Sequence, residues 1–195
     1  MKRIIVYTFI ILLLGCDTSL PQQTNTHLFN LPDFTKKLIV NMSNRHPAVN
    51  KSFSLNGNKE NKNINNTDST FWSQELARLI DTDLNSPKYL GAISVTPKQQ
   101  DPDSNLLINS YSLTNITKLP LKSLRIYYLN DTTEIRKIDL MMTSDNLINA
   151  SETSISLWIN RYNGILLIDS LKITGKDKTL FQGTRQYQGL TKTIW

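Results

Sequence analysis

Residues 121–143 read "LKSLRIYYLNDTTEIRKIDLMMT", and the reading of this stretch decides the fold. Two runs rich in aliphatic and aromatic residues flank "LNDTTE", a connection of hairpin length, so the runs should pair antiparallel. Successive side chains of a strand point to opposite faces. Leu124, Ile126 and Tyr128 therefore share one face of the first strand, and Ile138, Leu140 and Met142 share one face of the second. These are the core-facing sets. The opposite faces are not simply polar, for they carry Tyr127 and Met141. In residues 153–160, Trp158 likewise lies opposite Ile155, Leu157 and Ile159. A sheet with one wet face alternates more cleanly than this. Three arrangements would account for it: helices packed on that second face, a bulge that turns these residues into the core, or a sheet curved into a cup that takes a lipid or other apolar ligand. Tyr127, Met141 and Trp158 are the candidate ligand face.

The same strand signal recurs after residue 90, over residues 90–96, 106–114, 165–174 and 181–187, with "NRYNG" as a second hairpin-sized link. Before residue 90 the period changes. In "LPDFTKKLIVNMSNR" Phe34, Leu38 and Met42 fall at i, i+4 and i+8, with Pro32 near the start and His46-Pro47 as the stop. "VNKSFSLNGNKENKNI" alternates Val49, Phe53 and Leu55 and turns at Asn56-Gly57, a hairpin signature. A second helix follows the Asp68-Ser69 cap signal, with Trp72, Leu76, Leu79 and Ile80 on one stripe and Pro87 closing the segment. The fold class expected is α+β: two N-terminal amphipathic helices packed on a mostly antiparallel, meandering sheet of about seven to nine strands.

The first residues carry a different message. Lys2 and Arg3 precede an uncharged, mostly aliphatic run over residues 4–14, and Gly15 follows, which is the layout of a secretory signal peptide. The run covers about half of the ~20 residues a membrane-spanning helix needs. Leu13-Leu14-Gly15-Cys16 resembles the lipobox of bacterial lipoprotein precursors. That resemblance implies cleavage ahead of Cys16 and acylation of its thiol, so that the chain is anchored to a membrane without spanning it. Two or three acyl chains hold a protein on a bilayer durably where one does so marginally. As Cys16 is the single cysteine, no thiol remains for a disulfide, a metal or nucleophilic catalysis. The expected organisation is residues 1–15 as signal peptide, 16–27 as lipidated cysteine and polar tether, and 28–195 as one α+β domain.

Removing Lys2 and Arg3 with the signal takes the formal charge from +6 to +4. The surplus is spread along the chain without basic runs or interleaved aromatics, so no nucleic-acid partner is expected. Asp81, Asp83 and Asn85, and again Asp101, Asp103 and Asn105, match the opening of a calcium loop. Such a loop needs glycine at its sixth position and Glu at its twelfth. Ser86 and Leu106, then Ala92 and Ser112, stand there instead, and no metal or other cofactor is expected. His27 and His46 lack the apolar surroundings that would fix a catalytic histidine, and Glu134, Asp139, Glu152 and Asp169 are scattered single acids. The expectation is a protein that is not an enzyme.

From "SLNGNKE" through "FWSQELARLIDTDLNSP" to the strand repeats, the chain resembles a loose group of envelope lipoproteins of Bacteroidota type. The resemblance implies a fold order and a location and brings no activity with it. Together these readings lead to a lipid-anchored protein of the bacterial cell envelope, with the outer membrane favoured, that binds a protein partner or envelope component. The alternative is a carrier of lipid or another apolar ligand, similar to the half-barrel proteins of lipoprotein sorting.

Overall fold

A computed structural model describes residues 28–114, 119–130, 132–180 and 183–195. The expected signal peptide, Cys16 and the tether all fall in residues 1–27, outside the described residues.

The described residues form one open, antiparallel nine-stranded sheet with helices on one face, an α+β arrangement. Helix α1 spans Leu31–Arg45. Asn30 caps it by accepting the Asp33 N–H, Pro32 sits in the first turn, and His46 ends it in the left-handed region at φ 44°. Its buried stripe is Leu31, Thr35, Leu38, Ile39 and Met42; Phe34 lies at the margin, its ring tilted 55° against that of Phe29 with centroids 5.5 Å apart. Strands β1 (Ala48–Leu55) and β2 (Asn58–Ile64) follow, joined through Asn56 and Gly57, both at positive φ. A two-residue turn of this kind needs that conformation at both positions, which Asn-Gly supplies at low cost.

This hairpin separates the helices, so the expectation of two helices ahead of the sheet is corrected to an interleaved order. The expected second helix is also two short ones, α2 (Ser69–Glu75) and α3 (Ala77–Ile80), broken at Leu76, which has φ −102° and ψ 9°. Asp68 caps α2 through the Phe71 N–H. At the junction of α1, β2 and α2, the Trp72 indole N–H donates to Thr67 Oγ1, 3.0 Å, and that hydroxyl donates to the Pro47 carbonyl, 2.9 Å. A buried indole N–H without a partner would be costly, and Thr67 removes that cost.

Seven further strands run as a meander: β3 (Ile93–Gln100), β4 (Leu107–Leu113), β5 (Leu121–Tyr128), β6 (Ile135–Asp145), β7 (Asn149–Tyr162), β8 (Ile165–Thr179) and β9 (Gly183–Ile194). The spatial order is β2-β1-β9-β8-β7-β6-β5-β4-β3. The N-terminal hairpin thus docks on the last strand, with Ala48 opposite Ile194 and Leu55 opposite Tyr187. The chain then crosses the sheet through α2 and α3 to reach the far edge. Those helices and α1 bury Trp72, Leu76, Leu79, Leu38 and Met42 against Leu124, Ile126, Ile138, Leu140, Leu157 and Leu171. Glu75 fastens α2 to the sheet, pairing with Lys51 of β1 and accepting the Thr191 hydroxyl of β9 at 2.8 Å.

Open sheets leave two edges, and unpaired edges invite another chain. Here β2 reads "NKENKNI" and is exposed on both faces for nearly its whole length. At the other edge β3 carries Pro97, and its ladder with β4 slips between Thr96 and Gln99, where Lys98 has φ 53°. Charge protects one edge and a bulge the other.

Candidate functional site on the helix-free sheet face

Cross-strand partners share a face. Tyr127 lies opposite Lys137, Lys137 opposite Trp158, and Arg125 opposite Asp139, which in turn lies opposite Ser156. All of these point away from Leu124, Ile126, Ile138 and Leu157. None of the described helices packs on this side, so helices do not account for Tyr127, Met141 and Trp158. Bulges do occur beside two of them, between Tyr127 and Tyr128 and between Trp158 and Ile159. They leave Tyr127 and Trp158 outside the helix-covered core.

The structure joins Tyr127 and Trp158 through Lys137. The ammonium lies 4.8 Å from the centroid of the Tyr127 ring and 5.3 Å from that of Trp158. It is also 2.9 Å from Asp139 Oδ2. Asp139 accepts the Tyr127 hydroxyl at 2.9 Å and the Ser156 hydroxyl at 2.7 Å, with Arg125 at 4.0 Å. This one carboxylate therefore organises strands β5, β6 and β7. Burial first, and then the hydrogen bond to Asp139 and its negative charge, push the Tyr127 hydroxyl up to about 12. Met141 stands apart, four residues along β6 from Lys137 or about 13 Å, opposite Ser123 and Ser154.

Beyond Met141 the same face forms a groove of about 380 Å³ across β1, β9, β8 and β7. Glu152, Ser154, Thr174, Lys176, Gln186 and Gln188 line it, with Ser54 and the Gly57 turn at one end. Glu152 lies opposite Lys176, and Ser154 opposite Thr174, which lies opposite Gln188. Behind it, on the helix side, the Tyr187 ring crosses Gly175 so closely that a Cβ there would fall 2.1 Å from Tyr187 Cζ. Tyr187 meets the Thr153 hydroxyl at 2.9 Å. Glycine at 175 thus lets the two strands and the ring pack without a spacer.

The other residues singled out from sequence have local tasks. The Asn85 side chain holds both the N–H and the carbonyl of Leu28, at 2.9 and 3.1 Å, and the Asn85 N–H donates to Asp83. Asp101 accepts the Ser104 hydroxyl within the turn joining β3 and β4. His46 Nδ1 meets the Thr67 carbonyl at 3.1 Å. Glu134 pairs with Arg136, and Asp169 accepts the Tyr162 hydroxyl at 2.8 Å. Sequence reasoning missed Lys137 and Ser156 altogether and counted Asp139 among isolated acids. Pairing Tyr127 with Lys137 and Lys137 with Trp158 required the strand registers, which the sequence does not state.

No protein-family model, curated protein or solved structure matches this chain.

Proposed function

We propose that this protein is a non-enzymatic envelope lipoprotein, anchored through acyl chains on Cys16, that binds an envelope component with the helix-free face of its sheet. The observation that supports this is the arrangement of Lys137 between Tyr127 and Trp158 over a carboxylate already satisfied by three strands. The cluster presents Trp158, Lys137 and Arg125 as a partly exposed aromatic and cationic surface over the buried Tyr127 ring, which is 6% exposed. Its acid is engaged in holding that surface, with a tyrosine, a serine and a lysine as partners. Such a group positions neighbours and is poorly placed to exchange protons with a substrate.

The test is photo-crosslinking in the protein's own cells, with a photoreactive residue at position 158 and a control at Val40, which is 57% exposed on the helix side. A discrete adduct from position 158 and none from position 40 is expected; adducts from both or from neither overturn the reading. The anchor is tested separately by metabolic labelling with an alkynyl fatty acid, which the wild type should incorporate and Cys16→Ser should not.

A carrier of lipid is the second reading. It is favoured by an open antiparallel sheet with its helices on one face, the frame from which a cup with a lid can be made. An acyl chain would have to displace Trp72, Leu38 and Met42, which fill that space with 0 to 1% exposure. Phospholipid or fatty acid co-purifying with the protein would favour the carrier.

A further inference from the structure

We propose that the groove bounded by Glu152 and Gln188 is a binding site for an acidic oligosaccharide. The proposal rests on the reading of the helix-free face as the binding surface and names its ligand class. The lining comes first. Apart from the glycines and Tyr187, every residue around the groove ends in a hydroxyl, an amide, a carboxylate or an ammonium. Serine, threonine and glutamine side chains both donate and accept, as sugar hydroxyls do, whereas an acyl chain or an apolar peptide would leave them unpaired at a cost. The volume, about 380 Å³, is at the small end of the ~300–1,000 Å³ of ligand pockets. That is room for sugar units rather than for a folded partner.

The geometry is ordered as well. Strand pairing sets Glu152, Lys176 and Gln186 in one row, and Ser154, Thr174, Gln188 and Ser54 in the next. Neighbours within a row are ~5 Å apart, and the rows are ~7 Å apart. This spacing suits hydroxyls on successive carbons and successive rings. Glu152 and Lys176 face each other, yet neither makes an ion pair with a described residue, so both ends are open to a ligand.

Charge then selects among sugars. On this face the register places Lys178 and Lys172 one row beyond the groove at its two ends, Lys192 a further row past Lys172 and Leu190, and Lys59 beyond Ser54. None of the four pairs with a described carboxylate, in contrast to Lys137, which is held by Asp139. Glu152 is the single acid among the lining residues, and Asp145 shares the row of Lys178, so two acids stand on this part of the face against Lys59, Lys172, Lys176, Lys178 and Lys192. The surrounding field is positive and favours a ligand bearing carboxylates or phosphates. Along β7 the same face continues from Glu152 and Ser154 through Ser156 to Trp158, about 13 Å beyond Ser154. A longer chain can lie along this stripe and stack a ring on the indole.

The experiment is isothermal titration of the full chain in detergent with trigalacturonate, with its neutral counterpart galactotriose, and with glycerophosphoglycerol, the headgroup of an anionic phospholipid without its chains. Saturable binding of trigalacturonate is expected, about tenfold or more tighter than galactotriose and weakening as salt is raised. Gln188→Ala and Lys176→Gln should each weaken it by about tenfold, the loss expected for a hydrogen bond to a charged or polar ligand group. Both residues are exposed, so the thermal midpoint should not move. Equal affinity for the two sugars, binding unmoved by both variants, or binding of glycerophosphoglycerol as tight as that of trigalacturonate would each overturn the proposal. If it fails while the adduct from position 158 persists, the glycan is rejected and the binding face stands; loss of the adduct rejects the face itself.

Discussion

The two faces of this sheet are made from the same strands and differ in how they satisfy their side chains. On the helix-covered face nearly every contact is apolar, and the few polar groups are closed off: Trp72 to Thr67, Thr67 to Pro47, Glu75 to Lys51 and Thr191. On the helix-free face the aromatic residues are held by charges, and Lys172, Lys176 and Lys192 are left without acid partners among the described residues. An apolar residue on a strand can therefore belong to either of two designs. Which one it joins depends on what faces it across the ladder.

Four substitutions can break or sharpen this contrast. The largest effect is expected from Trp72→Ala, which empties a fully buried site and takes from the Thr67 hydroxyl the donor it accepts, leaving only its bond to Pro47. It should cost about 3–5 kcal/mol in denaturant unfolding. Glu75→Ala leaves Lys51 and Thr191 unpaired beneath α2 and should cost roughly 1–3 kcal/mol by the same measurement.

On the other face the effects should be smaller and should depend on pH. Tyr127, ordinarily near 10.0, is held up to about 12 in the fold. A group with a raised folded pKa contributes its stability in full below the unfolded value and loses it as pH climbs through the folded one. Unfolding free energy should therefore fall between about pH 10 and pH 12. In Asp139→Asn, ultraviolet titration should find the Tyr127 pKa lower but still above its ordinary value, because burial, the leading cause, remains. The smallest stability change is expected for Trp158→Ala. It removes a partly buried ring from Lys137, worth about 0.5–1 kcal/mol, and should reduce ligand binding far more than it reduces the melting temperature. A loss as large as that of Trp72→Ala would mean that the two faces are one core.

Much of the helix-covered face was legible in the sequence. The alternation of Leu124, Ile126 and Tyr128 and of Ile138 and Leu140 located the core, and Asn56-Gly57 marked a turn at positive φ. The α1 limits followed from Pro32 and Pro47. The later strands were read too short, because "NASE" and "GKDKT" are polar on both faces yet extend β7 and β8 to 14 and 15 residues. Such ends are held by ladder hydrogen bonds, which leave no trace in hydropathy. The second helix was read as continuous because its stripe passes through Leu76 without interruption, while the backbone departs from helical geometry there. The cluster around Asp139 was illegible for a different reason. Its members come from three strands, and only the register, shifted by bulges at Tyr127 and Trp158, brings them to one place.

The ladder between β1 and β9 has a kinetic meaning. The Gln186 N–H donates to Asn56 Oδ1 across 130 positions of sequence, and among the described residues the hairpin has no other strand neighbour than β9. Closing a loop of that length is an entropic burden that must be met before the contact gives anything back. The hairpin and α2 therefore wait on the final strand, and folding should be slow and late to become cooperative. A chain shortened before residue 183 would keep the meander's hairpins and the seat of α1 on β8 but leave β1 and β2 as a loosely attached arm, an open state in which proteases and chaperones compete with assembly.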